Sequence, residues 1–197
     1  YLRVSGTDVR LEVLGQSISG NFSLEKNGDE IRGGMSGVEV FLGTGGGTAD
    51  EKGLRVSEGS GAVRITDAGV ALQASGAVAL TGIPNVALKA ERMTVQVNST
   101  GDEVNAQIAT GEYDLAGQPV VVDLSLPQGP YTRVSGTGVS LEVFGQSISG
   151  NFVFEQDSNG IRAGMSNVAV FLGSGAGTDN KKGFQISEGE GALLLSD

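Results

Sequence analysis

Histidine, cysteine and tryptophan are absent from the 197 residues, and proline occurs only 4 times. Without His there is no Ser-His-Asp arrangement and no imidazole base. Without Cys there is no thiol nucleophile, no disulfide and no thiolate metal site. A structural zinc would have to rest on carboxylates alone, against its preference for nitrogen and sulfur. Aromatic residues make up 5%, which leaves little for stacking on sugars. No apolar run approaches the roughly 18 residues of a membrane-spanning helix. The expectation is a protein that is not an enzyme. No residue is assigned a catalytic, cofactor-binding or metal-binding role.

What is present is glycine, at 33 residues, and acid, with a net charge of −10. High Gly with little Pro and no three-residue period excludes collagen. The acidic balance disfavours nucleic acid and anionic membranes, whose phosphates need Lys and Arg. It suits solubility and divalent cations. Val, Leu, Ile and Ala are spread along the whole chain, so a folded core is expected rather than disorder.

The chain also repeats itself. Tyr1 set on Tyr131 brings VSGT at 4–7 onto 134–137, GQSISGNF at 15–22 onto 145–152 and VFLG at 40–43 onto 170–173. The offset stays at 130 without a gap, and 40 of the 67 aligned positions are identical. Leu14/Phe144, Leu24/Phe154, Leu54/Phe184 and Val56/Ile186 stay apolar, as packed positions do. Polar positions drift: Arg10 becomes Ser140 and Glu51 becomes Lys181. The expected organisation is one complete β unit over 1–130 and the first half of the next over 131–197.

The local pattern is strand after strand. Val9, Leu11 and Val13 alternate with polar residues, as do Ile18, Phe22 and Leu24. A two-residue hairpin loop at Gly15-Gln16 sets Val13 opposite Ile18 and Val9 opposite Phe22. A second loop at Asn27-Gly28 sets Leu24 opposite Ile31. A phase break at Ser36-Gly37 predicts a bulge. Further alternating runs cover Val70–Ala74, Val78–Leu80, Val86–Ala90, Met93–Val97 and Val120–Leu124. No segment carries a helical period. The predicted fold is all-β: an antiparallel meander of hairpins forming an elongated sandwich or roll. Gly20, Gly150, Gly33 and Gly34 fall mid-strand, which marks tight packing or a groove where a chain or ligand docks.

Candidate sites are few. The loop GTGGGTADEKG at 43–53 and its counterpart GSGAGTDNKKG at 173–183 lack the phosphate-binding motif and a following helix, so they read as strand connections. Asp50, Glu51, Asp179 and Asn180 leave calcium as the one conceivable cofactor, although Lys181 and Lys182 oppose it in the second copy. Charges kept between copies, such as Glu12/Glu142, Glu58/Glu188 and Asp67/Asp197, read as solvent-facing strand charges that deter edge aggregation. Asn21-Phe22-Ser23 and Asn98-Ser99-Thr100 match the glycosylation sequon by composition alone. Tyr1 and Tyr131 are expected to cover a core edge.

The phrases VSGTGVSLEVFGQSISGNFVFEQ, SEGEGALLLSD and VALQASGAVAL resemble repeats of very large secreted or surface-anchored bacterial proteins, the adhesin-like and haemolysin-type giants with long β-rich arrays. The resemblance implies an extracellular or cell-surface location, a structural or adhesive role, and partners that are copies of itself or adjacent repeats of one chain. Neither nucleic acid nor membrane insertion is expected. Three functions follow as expectations: a structural repeat of a fibre or giant surface protein, a calcium-dependent adhesive or ligand-binding module, and a β-groove that carries lipid. The first is the leading expectation; an open, continuously apolar concave face would mark the last, and a closed, filled core would rule it out.

Overall fold

The computed structural model describes residues 1–175 and 180–196. They form an all-β antiparallel meander of twelve strands, with no helix among the described residues. The first six strands are β1 (Leu2–Val13), β2 (Gln16–Asn27), β3 (Glu30–Thr44), β4 (Lys52–Thr66), β5 (Gly69–Thr81) and β6 (Val86–Asn98). A separate hairpin follows, β7 (Val104–Tyr113) and β8 (Pro119–Leu126). The last four are β9 (Tyr131–Val143), β10 (Gln146–Asp157), β11 (Gly160–Ser174) and β12 (Lys182–Leu195). Ten strands make one sheet in the order β1-β2-β3-β4-β5-β6-β9-β10-β11-β12. The pairing of β6 with β9 therefore carries the sheet across residue 130 without interruption.

The registers of the two halves coincide at an offset of 130. Gly6 opposes Phe22 as Gly136 opposes Phe152. Ile31 opposes Ile65 as Ile161 opposes Leu195. The hairpin loops sit one residue away from the predicted ones. The first loop is Leu14-Gly15, with Val13 opposite Gln16 and Leu11 opposite Ile18. Both loop residues have positive φ, 52° and 78°, which makes a type I′ turn. The second loop is Gly28-Asp29, so Leu24 opposes Gly33, not Ile31. Each pairing is displaced by two positions. A displacement of two keeps every side chain on its own face, so alternation alone cannot detect it.

The predicted bulge at Ser36-Gly37 is present, between Met35 and Val38. It belongs to a line of bulges that crosses the sheet at mid-strand. Asp8, Gly37, Glu58, Gly138, Asn167 and Glu188 all take φ between 52° and 58° along it. Each bulge shifts the strand's alternation by one and adds twist. Asn21 Oδ1 accepts the exposed Asp8 N–H at 2.9 Å, and Asn151 Oδ1 accepts that of Gly138 at 3.0 Å.

The sheet does not fold over as the expected sandwich or roll. Among the described residues its one second layer is the β7–β8 hairpin, packed across β1 to β6 on one face. The buried core lies under that hairpin: Val104, Ile108, Leu124 and Leu126 rest on Ala62 and Ala71. The seat works because its side chains are small. A Cβ on Gly34 would stand 2.2 Å from the Ala109 carbonyl oxygen. Asn98, 1% exposed, pins the stem of the hairpin. Its Nδ2 donates to the carbonyls of Asp102 and Pro127 at 2.8 and 2.6 Å. Its Oδ1 accepts from the Thr100 N–H and hydroxyl at 2.9 and 2.7 Å.

Candidate functional site: an open apolar sheet face

Directly opposed residues of an antiparallel pair point to the same face. Following them across the sheet gives unbroken apolar rows. One runs Val4, Leu24, Gly33, Val63, Leu72 and Val97. Beyond the bulge line another runs Leu42, Leu54, Leu80, Leu88, Leu141 and Ile148. Among the described residues, polar side chains reach this face near strand ends, at Gln16 and Lys26, which oppose Val13 and Leu2, and at Thr132 and Gln156, into which the first row continues beyond Val97.

Among the described residues nothing packs over this face, because the hairpin lies on the other one. Leu11, Leu24, Leu42, Phe154, Phe184 and Leu193 are all exposed on it. Strand spacing and rise give the face roughly 1,900 Å² in projection. Monomeric proteins leave contiguous apolar patches of about 300–600 Å². The accessible surface tells the same story: 11916 Å², against roughly 8,700 Å² for a compact monomer of this mass.

The face is furrowed as well as apolar. One depression of about 520 Å³ is lined by Val4, Val9, Phe22, Leu24, Met35 and Val63, with Gly6 and Gly33 in its floor. A second, of about 580 Å³, is lined by Val134, Val139, Phe152, Phe154, Met165 and Leu193. These are the same positions moved by 130. Both volumes fall in the range of small-molecule sites, about 300–1,000 Å³. The mid-strand glycines thus divide by face. Gly34 admits the hairpin, while Gly33, its neighbour in sequence, opens the floor of the first depression.

The opposite face is polar. Glu30 accepts from Arg32, at 3.0 Å, and from Arg64, and the two guanidiniums hold its carboxyl below the usual range. Asp157 lies low as well, through the Asn159 N–H and the Arg162 guanidinium. Glu112 of the hairpin accepts from Asn21 Nδ2 and the Ser36 hydroxyl at 3.1 and 2.9 Å, which ties the hairpin to the bulge line.

The other sequence candidates fall outside the apolar face. In the Gly-rich loop, Glu51 accepts from Arg55 and from the Gly47 N–H, and both hold its pKa low. Asp179 and Asp197 lie outside the described residues. Among the described residues no three His, Cys, Asp or Glu side chains gather where they would hold a metal ion. Asn98 is buried with its amide committed, and the half-buried Asn21 has its amide bonded to Glu112, so both sequon asparagines are engaged within the fold. Tyr131 is 6% exposed, opposite Asn98 of β6, with its hydroxyl donating to Glu155 at 3.1 Å; burial raises its pKa. Tyr1, immediately before β1 at the sheet edge, is 81% exposed and covers no core edge.

The open face itself is not marked by any motif. Its signal in the sequence was the alternation, which says which side is apolar and not what covers it. No protein-family model, curated protein or solved structure matches this chain.

Proposed function

We propose that this protein is a non-catalytic carrier whose open sheet face holds the acyl chains of lipid. One observation carries the proposal: an uninterrupted apolar face with two equivalent furrows and no protein layer over it. A protein partner of this area would ordinarily supply and require about one hydrogen bond per 100–200 Å². The interior of this face offers no side-chain donor or acceptor for them. Acyl chains need none, and their flexibility fills irregular furrows without a matched surface.

A structural role in an extracellular or cell-surface array is the second reading. The continuous β6–β9 ladder and the recurring registers favour it, since both let one sheet lengthen by addition of equivalent strands. The two readings are compatible: a longer sheet is a longer apolar track.

The test is titration of the delipidated chain with cis-parinaric acid, whose fluorescence rises in an apolar site. Saturable binding is expected. Leu24→Gln with Leu72→Gln places two amides in the first furrow and weakens binding there at least tenfold, while the second furrow still binds. Absence of binding by the unaltered chain overturns the proposal. So does a lipid-free dimer, detected by light scattering, that the fatty acid fails to dissociate.

A further inference from the structure

The two ends of the sheet differ in chemistry. At one end the turns and the hairpin stem are polar and acidic, with Asp29, Glu30, Asp67, Asp102 and Glu103 around a shared hollow. At the other end three turns each carry a large exposed apolar residue: Leu14 between β1 and β2, Ile83 between β5 and β6, and Phe144 between β9 and β10. Leu14 is 95% exposed and Phe144 is 73% exposed. The Ile83 and Phe144 turns stand side by side, with the Phe144 N–H donating to the Asn85 carbonyl at 2.8 Å, and the Leu14 turn lies beyond β3 and β4. Strand spacing places the three tips along a line of roughly 30 Å.

Leu14 and Phe144 sit at φ 52° and 49°. Type I′ turns place Asn, Asp or Gly there because larger side chains are strained in this region. Both copies nevertheless put a large apolar side chain at this position and point it into solvent. Strain of this kind marks a position held for something other than the turn.

We propose that this end of the sheet docks on a lipid bilayer, with Leu14, Ile83 and Phe144 entering the headgroup boundary. The inference rests on the carrier reading and supplies its missing step, the route by which acyl chains reach the face. The apolar rows run up to these turns through Val13, Leu80, Leu88 and Val143, and the polar side chains that a chain leaving the bilayer would pass at this end are Gln16 and Gln146, opposite Val13 and Val143, and the Thr44–Lys52 pair. Three tips on separate turns form no pocket and present no recognition group, which suits a fluid layer better than a folded partner. The Gly-rich loop lies between two of these turns with Asp50 exposed and Glu51 folded back on Arg55. With a net charge of −10, the preferred surface is zwitterionic. The sequence expectation of no membrane insertion is departed from here only at the tips of turns.

The test is cosedimentation of the full chain with phosphatidylcholine vesicles, beside the variant Leu14→Asn, Ile83→Asn, Phe144→Asn. Asn accepts the left-handed conformation more readily than Leu or Phe, so the two I′ turns are relieved rather than damaged. The unaltered chain is expected to sediment, and the variant to partition at least tenfold more weakly while still binding cis-parinaric acid in solution. Equal sedimentation of the two, no sedimentation of the unaltered chain, or sedimentation only with phosphatidylserine present overturns the docking. Loss of cis-parinaric acid binding in the unaltered chain, with vesicle binding intact, overturns the carrier reading and leaves the docking standing.

Discussion

Gly33 and Gly34 are consecutive, yet they answer to opposite faces of one sheet. A Cβ on Gly34 meets the Ala109 backbone at 2.2 Å, and the backbone cannot rotate out of the way. A Cβ on Gly33 presses only on the Val63 side chain, at 3.0 Å, with Leu24 and the Ser23 carbonyl at an ordinary 3.7 Å, beside an open furrow. Gly34→Val is therefore expected to destabilise the fold by about 2–3 kcal/mol through overpacking and to release hydrogen-exchange protection in β7 and β8. Gly33→Val is expected to leave that protection intact and to narrow the first furrow. Melting curves with hydrogen exchange on both variants make the comparison.

Glu30 is the other position where single groups decide an outcome. Arg32 and Arg64 hold its carboxyl below the ordinary value. A carboxylate with a lowered folded pKa contributes stability above its unfolded pKa and loses it as pH falls through the folded one. The melting temperature is expected to hold steady down to roughly pH 4.3, the ordinary Glu value, and to decline below it. Arg64→Gln should flatten that decline in an acid titration followed by circular dichroism.

At the scale of elements, the β7–β8 hairpin has the least support in its own sequence. Val120–Leu124 alternates clearly, but Val104 to Thr110 uses Ala106 and Thr110 on the alternating positions, and its strand was not expected. Its place depends on a seat of small residues contributed by other strands and on Asn98 at its stem. Asn98→Ala removes four hydrogen bonds and leaves the buried Thr100 N–H without its acceptor. An unsatisfied buried group costs about 1–3 kcal/mol. The expected result is early local opening of 99–130, read by limited proteolysis, ahead of any loss of the main sheet.

For the whole molecule, the strands β4 and β7 were not legible in the sequence, whereas the all-β class, the antiparallel order, the bulge at Ser36-Gly37 and the apolar side of most strands were. Side-chain alternation and Gly signals determine all of these locally. Three things were decided only in three dimensions. The turn registers moved by two positions, because a shift that preserves faces leaves the hydrophobic pattern unchanged and only the positive φ of Leu14 and Gly15 distinguishes it. The strands remained one open layer, because alternation separates an apolar side from a polar one without saying whether a second layer exists. The hairpin settled on the polar side, over Gly34, Ala62 and Ala71, because distant strands bring side chains together there that are small enough to admit it. The apolar face was thus written strand by strand in the sequence, and its exposure is a property of the tertiary structure.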